Sequence, residues 1–282
     1  MTKASILDHI VVNVRMEMDE AEASFSELGF VLTPRGYHSL GSINALAIFQ
    51  TDYLELLGLP ADRPDARPEL ANGPTGLNGA VFKTPHADAT FAHLSALGVA
   101  GDPPKSFSRP VTLADGSVAE ARFRTVTLPD AIFPAGRLYF CEHQTPELVW
   151  RPEWQAHDCG VTGFSELVLV TDAPDERARL LERVLHGKVV GAGGAEGLAV
   201  ELAGGFRFVV LTPSGYAARF GALAIEPGGR ADMLGAAVVK GVLPVGFQDR
   251  LKCMPDRFEV AKAGRGVRVR VPRFTTLIEF EG

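Results

Sequence analysis

The stretch LDHIVVNV, residues 7–14, followed by EMDEAEASFSELGF, residues 17–30, decides how this chain folds. The first segment is rich in strand-forming residues. The second has apolar residues at helical spacing and ends near Gly29, a residue type that commonly stops helices. Three short apolar runs separated by turn residues follow: FVLTPRGY (30–37), INALAIFQ (43–50) and DYLELLGL (52–59). Because such runs are typical of strands, this part of the chain predicts a βαβββ unit.

The same order of strand and helix recurs further along the chain. The repeated strand-and-helix pairs are LNGAVFKT with PHADATFAHLSALGV (77–99) and FSELVLVT with APDERARLLERVLHGKV (164–189). A weaker fourth copy begins at LGAAVVKG, residues 234–241. Duplicated units of this size predict an α+β fold of about four tandem βαβββ units.

Two linkers divide the repeats. The proline-rich segment LPADRPDARPEL (59–70) joins the first two units, and TPELVWRPEWQAHDCG (145–160) separates the first pair from the second. We therefore predict one domain over residues 1–158 and a second, divergent domain over residues 159–282. His157 lies in the second linker, where we expect it to be exposed to solvent.

Composition argues against several classes of function. The 282 residues carry a formal net charge of -6, so there is no basic excess for binding nucleic-acid phosphates. No apolar run reaches the roughly 18 residues of a membrane span, and the N-terminus resembles no secretory signal, so we expect a cytoplasmic protein with no membrane partner. The three cysteines form no Cys-x-x-Cys pair, which argues against a zinc knuckle and a disulfide framework.

The ordered motifs DHIVVNV (8–14), LGFVLTPRGYH (28–38), NALAIF (44–49) and DYLELLG (52–58), in four paired units, resemble the vicinal oxygen chelate (VOC) superfamily. Within it, the chain is most similar to glyoxalase-like domain proteins, and the resemblance covers most of its length. The resemblance implies two paired, curved mixed β-sheets with helices on the outside. It also implies a cleft enclosed by two units, with metal ligands from the first and last strands of each unit. It also implies a lyase, isomerase or dioxygenase that chelates two adjacent oxygens of a small substrate.

Strand alternation selects the candidate metal ligands. His9 lies on the strand face opposite the one that should pack on the helix, and Glu55 lies on the corresponding face of DYLELLG. In RLYFCEHQTP (137–146), the same argument favours His143 over Glu142. Mixed nitrogen and oxygen ligands suit a divalent metal ion such as Fe, Mn, Ni, Co or Zn, so the sequence predicts a site of His9, Glu55 and His143.

The second unit departs from the family pattern, because Gly79 occupies the position equivalent to His9 and offers no ligand. The alternative function is therefore a metal-free protein that binds or sequesters a small molecule in the same cleft, in which Glu55 pairs with a positive group of the cleft, with His9 as one candidate. In the second pair, Glu166 and Glu279 occupy ligand positions without a histidine, which suits a transition metal poorly and leaves a hard cation as the alternative, so these units are expected to be structural.

Four further residues are assigned to the cleft. His38, in a polar turn, is the candidate for proton transfer, with a fourth metal ligand, a substrate contact and an ordinary surface histidine as alternatives. Asn44 could orient a substrate oxygen or cap a turn. Tyr53 and Tyr139 lie on the cleft faces of their strands and are expected to contact substrate. A homodimer is compatible with this site but is not needed to build it, because two units can pair within one chain.

Overall fold

The computed structural model describes residues 4–113, 115–193 and 197–282, and it contains the four predicted βαβββ units. The first two units comprise β1 (Leu7–Arg15), α1 (Met18–Glu27), β2 (Gly36–Tyr37), β3 (Ile43–Ile48), β4 (Tyr53–Gly58), α2 (Pro68–Ala71), β5 (Gly76–Lys83), α3 (Ala87–Ala96), β6 (Lys105–Thr112), β7 (Val118–Thr127) and β8 (Arg137–His143). The last two units comprise β9 (Val161–Thr171), α4 (Pro174–Leu185), β10 (Lys188–Gly191), β11 (Gly197–Glu201), β12 (Arg207–Leu211), α5 (Pro213–Phe220), β13 (Asp232–Gly241), α6 (Phe247–Lys252), β14 (Glu259–Ala263), β15 (Gly266–Val271) and β16 (Thr276–Glu281).

The two eight-stranded sheets have the same topology. The strand order is β2-β3-β4-β1-β5-β8-β7-β6 in the first sheet and β10-β11-β12-β9-β13-β16-β15-β14 in the second. In each sheet the first strands of two units pair antiparallel, while the first and last strands of each unit pair in parallel. The predicted α+β fold of tandem units is confirmed, and this topology places the candidate ligand strands at the centre of the sheet.

The two faces of β1 belong to different apolar clusters. Ile10, Val12 and Val14 lie in the main core with the helices, whereas Val11 lies in a smaller cluster on the concave face, where Leu57 joins it from β4. The alternation predicted from LDHIVVNV is therefore confirmed from Ile10 onward.

The main core is continuous between the two sheets. The ring of Phe30, after α1, packs against Phe280 of β16 with 6.1 Å between centroids. The backbone N–H of Cys159 donates to the carbonyl of Gly29 at 3.1 Å. Buried residues of α1, α3, α4 and α6 all contribute to this one core. No helix in the described ranges is long and apolar enough to span a membrane.

His157 is half-buried, so the expectation that it is exposed was wrong. Its Nδ1 accepts a hydrogen bond from the N–H of Val31, and its Nε2 donates to the carbonyl of Ile48, both at 2.9 Å. Its ring also packs edge-on against Phe49. A histidine in a polar linker can bond backbone groups that the strands leave free, and here it ties the linker to the first sheet.

The concave face of the second sheet is filled by its own chain. Residues 213–225, here called the plug, comprise α5 and the turn after it, and Tyr216 and Phe220 from the plug join the apolar cluster on this face. The Tyr216 hydroxyl donates to the carbonyl of Gly235 at 2.8 Å and accepts from the N–H of Ile225 at 3.1 Å. A Cβ atom at Gly235 would lie 2.7 Å from the Tyr216 ring, so the fit depends on glycine.

The plug also supplies a partner for the two glutamates of this face. Arg219 lies 2.8 Å from Glu166 and 3.7 Å from Glu279. Glu166 also pairs with Arg207, and Glu279 pairs with Arg268 at 2.8 Å. These arginines neutralise both carboxylates, which therefore need no metal ion.

Asp52 provides a pH-dependent link between the two sheets. Its buried carboxylate accepts the N–H of Phe164 at 3.1 Å, and burial raises its pKa from 3.8 to about 6. Because the folded protein keeps the proton of the Asp52 carboxyl to higher pH than the unfolded chain does, Asp52 destabilises the fold as pH rises from 3.8 to about 6.

We expect Asp52→Asn to be more stable than wild type at pH 7, by up to about 3 kcal/mol.

Urea unfolding of wild type and Asp52→Asn between pH 4 and pH 7 measures this effect. The stability difference should be small at the acid end and grow in favour of Asn as pH rises. Asp62→Asn, at an exposed position, is the control and should show no such trend. A difference independent of pH would show that Asp52 does not titrate in this range.

Candidate functional site

A cavity of about 710 Å³ opens on the concave face of the first sheet. This volume suits a small organic molecule. Six predicted site residues line it: His9, His38, Asn44, Tyr53, Glu55 and Tyr139. His143 does not line the cavity. The structure therefore brings most of the predicted residues together and leaves one metal-ligand candidate beside them.

His9 and Glu55 form the centre of the site. β1 pairs with β4 so that Tyr53 lies opposite His9 and Glu55 lies one alternation further along. The His9 Nε2 atom is 3.5 Å from Glu55 Oε2, and both side chains are buried. The Tyr53 ring stacks on the imidazole with 4.3 Å between centroids, and this contact restricts rotation of the His9 ring.

Asp8 is a site residue that sequence reasoning missed. Its Oδ2 atom lies 2.8 Å from Nδ1 of His9 and 2.8 Å from Nε2 of His143. Strict alternation assigns Asp8 to the helix face, but the register of β1 against β5 shifts between Leu7 and His9. This bulge re-aims the Asp8 side chain toward His9. The available signal was an acid beside a histidine in an otherwise apolar strand.

His143 shares the Asp8 carboxylate with His9 and does not pair with Glu55. Its ring packs against Trp150 with 4.9 Å between centroids. Its neighbour Glu142 accepts the N–H of Ala87 at the start of α3 at 2.7 Å, so Glu142 lies on the helix side as alternation predicts. The three predicted metal ligands thus belong to one network, in which Asp8 separates His143 from the His9–Glu55 pair.

The strand registers identify the counterpart of Glu55 in the second unit. In the alignment of units given above, Val81 of β5 corresponds to Val11 of β1. Val11 pairs with Glu55 across β4, and Val81 pairs with Tyr139 across β8. Tyr139 is therefore the counterpart of Glu55, and its hydroxyl lies 3.2 Å from His9 Nε2.

The network continues from Glu55 to the mouth of the cavity. The Asn44 amide donates to Glu55 Oε1 at 2.7 Å, and the same nitrogen lies 3.2 Å from Nε2 of His38. The His38 Nδ1 atom is 2.9 Å from the Ser42 hydroxyl. Asn44, predicted to orient substrate, therefore also fixes the carboxylate of Glu55.

Burial and neighbouring charges give the two cavity histidines different protonation states. Burial alone would lower the pKa of His9, but its bonds to Asp8 and Glu55 raise it. Burial alone would raise the pKa of Glu55, but the His9 bond and charge lower it to about 2. Burial, reinforced by Arg109, lowers the pKa of His38 to about 4. The two carboxylates therefore favour the protonated form of His9, whereas burial favours the neutral form of His38.

His9 and Glu55 fit a divalent metal ion with open coordination positions. Asp8 holds the other ring nitrogen of His9, and Asn44 holds the other oxygen of Glu55, as outer partners of metal ligands usually do. The counterpart positions in the second unit offer only a glycine and the Tyr139 hydroxyl, whose pKa burial raises. The protein would therefore supply fewer ligands than the family pattern provides.

A second group of potential ligands lies next to this pair. Asp8, Cys141 and His143 each have one potential metal-ligand atom, and these three atoms lie within 4.8 Å of one another. Asp8 Oδ1 and His143 Nδ1 are buried and have no hydrogen-bond partner within the described ranges. Burial raises the pKa of the Cys141 thiol, which disfavours a thiolate when no cation is bound.

Paired βαβββ units around a histidine–glutamate cleft define a protein of the VOC superfamily. The family model for a glyoxalase-like domain matches residues 7–185, more than half of the chain, and the chain belongs to that family. A search of curated proteins finds no sequence match.

Solved structures share this fold at low sequence identity. A hypothetical protein from Staphylococcus aureus has a TM-score of 0.68 and 12% identity, with 98% of each chain covered. A mutant of 4-hydroxymandelate synthase from Streptomyces coelicolor has a TM-score of 0.54 and 13% identity, covering 99% of this chain and 92% of the synthase. A xylose isomerase-like TIM barrel/4-hydroxyphenylpyruvate dioxygenase fusion protein has a TM-score of 0.55 and 12% identity, covering 98% of this chain and 49% of the fusion protein. At these identities, the likeness establishes the fold.

Proposed function

We propose that the chain is a glyoxalase-like metalloenzyme, of the lyase, isomerase or dioxygenase type, that acts on a small oxygenated organic molecule in the cavity. The observation behind this proposal is the His9–Glu55 pair, whose Nε2 and Oε2 atoms lie 3.5 Å apart while Asp8 and Asn44 hold their other polar atoms. A bound Fe, Mn, Ni, Co or Zn ion would supply Lewis-acid or oxygen chemistry.

Residues of the chain would hold the ion, accept the substrate proton and bind the substrate oxygen. His9 and Glu55 would hold the ion, and Asp8 keeps the His9 ring oriented through Nδ1. His38, neutral at physiological pH, is the proposed acceptor of a substrate proton; its Nε2 atom accepts from the Asn44 amide at 3.2 Å and would release that bond to take the proton. Tyr139 offers its hydroxyl as a donor to a substrate oxygen.

We infer that the reaction takes place in the cytoplasm on a small molecule and not on nucleic acid, in keeping with three free cysteines and a net charge of -6.

One observation favours a second candidate function, a metal-free protein that binds or sequesters a small molecule. The positions that correspond to His9 and Glu55 in the second unit are Gly79 and Tyr139. In this case a protonated His9 would pair with Asp8 and Glu55 in the floor of the cavity, and His143 also contacts the Asp8 carboxylate.

The metal content of protein purified without chelators or a histidine tag distinguishes the two candidates. Inductively coupled plasma mass spectrometry should find about one transition-metal ion per chain in wild type, lost in His9→Ala and retained in the exposed control His86→Ala. Loss in both His9→Ala and His143→Ala would favour the three-ligand site predicted from sequence. Loss in His143→Ala alone would place the ion at Asp8, Cys141 and His143. Wild type that holds no metal after reconstitution would contradict the metalloenzyme and favour the binding protein.

A further inference from the structure

Two arginines of the cavity have no anionic partner in the described part of the chain. Arg109, on β6, is 4% exposed, and its Nη2 atom is buried without a hydrogen bond. Arg137, at the start of β8, has buried Nε and Nη2 atoms without a hydrogen bond, and its guanidinium lies 5.5 Å from the centre of the Tyr139 ring. Both side chains line the cavity. A buried cation without a counter-ion is costly, and folded proteins rarely keep one without a use.

No carboxylate that lines the cavity forms an ion pair with either arginine within the described ranges. Glu55 is engaged by His9 and Asn44, and Glu69 is paired with Arg67 at 2.7 Å. The charge of Arg137 helps to lower the pKa of Glu69, but the two side chains do not pair. Asp102 and Asp130 are exposed at the cavity rim. The pKa of Arg109 is lowered by burial, while the charge of Glu55 acts to raise it, so Glu55 is close enough to affect Arg109 but does not pair with it.

The rest of the cavity wall indicates a ligand with an apolar body. Leu46, Leu57, Phe107 and Phe123 line the same space, and the rings of Phe107 and Phe123 stack with 5.1 Å between centroids. The cavity therefore combines two unpaired guanidinium groups with an apolar wall. Guanidinium groups bind carboxylates and phosphates through paired N–H donors, which gives both charge and orientation.

We propose that the ligand of this cavity is an organic oxyanion, a carboxylate or a phosphate ester with an apolar body, and that Arg109 and Arg137 bind its anionic group. This deepens the proposed function and rests on it, since it takes the cavity to be the small-molecule site. The oxyanion supplies the counter-charge that neither arginine receives through an ion pair in the described part of the chain. Its apolar body lies against Phe107 and Phe123, and its reacting end reaches the His9–Glu55 pair.

The first test measures the ligand-free protein. Arg109→Met removes the buried charge and keeps the length of the side chain, so we expect this variant to unfold at a higher urea concentration than wild type. Arg122→Met, at an exposed position on β7, is the matched control and should leave the midpoint unchanged. A lower midpoint for Arg109→Met would mean that Arg109 stabilises the fold, which would overturn its role as an unpaired cation kept for a ligand.

The second test measures binding by calorimetry with three probes of similar shape: benzoate, phenyl phosphate and neutral benzamide. Wild type should bind at least one of the two anions roughly tenfold or more tightly than benzamide, as expected for a charge-assisted hydrogen bond. Arg109→Met and Arg137→Met should lose that preference, and Arg122→Met should keep it. A preference for benzoate identifies a carboxylate ligand, and a preference for phenyl phosphate identifies a phosphate ester. Equal binding of all three probes, absence of anion binding, or a preference that survives both variants would overturn the proposal.

Running the calorimetry on chelator-treated and metal-reconstituted protein separates this inference from the proposed metalloenzyme. Anion preference in a protein that takes up no metal on reconstitution supports the arginine site and contradicts the metalloenzyme. Metal binding without anion preference does the reverse. If the preference occurs only with metal and survives both arginine variants, the ion and not the arginines binds the anion, and the inference fails.

Discussion

Replacing Asp8 by alanine should lower the free energy of unfolding by roughly 3–5 kcal/mol, the usual cost of breaking a buried charge pair by removing one partner. One oxygen of Asp8 contacts both His9 and His143, and the side chain is fully buried. Although burial alone would raise it, the two histidines hold the pKa of the Asp8 carboxyl well below its usual range, so the folded state favours the charged form. Alanine leaves both imidazole groups without this partner.

Urea unfolding at pH 7 measures the loss, and two further variants define its cause. Asp8→Asn keeps an acceptor oxygen but not the charge, so its loss should fall between those of wild type and Asp8→Ala. Asp102→Ala, at the exposed cavity rim, should unfold like wild type. A cost below about 1 kcal/mol for Asp8→Ala would show that the shared carboxylate is not a net stabilising contact.

Replacing Tyr216 by alanine should destabilise the protein by about 3–5 kcal/mol, the range seen when a large buried aromatic side chain is truncated. Tyr216 is 2% exposed, and burial raises the pKa of its hydroxyl to about 12. The truncation removes ring contacts across the concave face of the second sheet and leaves a void beside Phe220. It also removes the hydrogen-bond partner of two backbone groups, at Gly235 and Ile225.

Tyr216→Phe separates these two contributions, because it keeps the ring and removes only the hydroxyl. We expect it to cost about 1–3 kcal/mol, since two buried backbone groups lose their partner. Tyr37→Ala, at a position that is 57% exposed, is the control for loss of a tyrosine as such. Equal unfolding midpoints for Tyr216→Ala and Tyr37→Ala would mean that the plug contributes little to the fold.

The fold could be predicted because its signal is local and repeated. Each unit carries its own strand-to-helix pattern, and β1 shows how alternation separates the helix face from the concave face. The plug was not predicted, because α5 is short and the segment at the corresponding place between β4 and β5 forms only the four-residue helix α2. Its position depends on the glycine at 235, which makes room for Tyr216 only when the chain is folded.

The candidate site was predictable where the strands are regular and not where they are irregular. His9 and Glu55 lie on the faces that alternation assigns to them, and their role as metal ligands stays a prediction, as does that of His143. Asp8 was missed because one bulge residue breaks the alternation. Arg109 was missed because an arginine in a polar edge strand reads as exposed, and only the folded sheet shows that it is buried.

Because one core joins the two sheets, substitutions far from the cavity affect the stability of the whole chain. Because the helices of all four units share that core, we expect the chain to unfold as one cooperative system, and the populations of both halves are then governed by a single equilibrium. A ligand bound beside His9 would stabilise the plug by mass action, although it does not touch it. Conversely, a substitution in the plug would reduce ligand occupancy of the cavity near the unfolding midpoint by depleting the folded state, with every cavity contact unchanged.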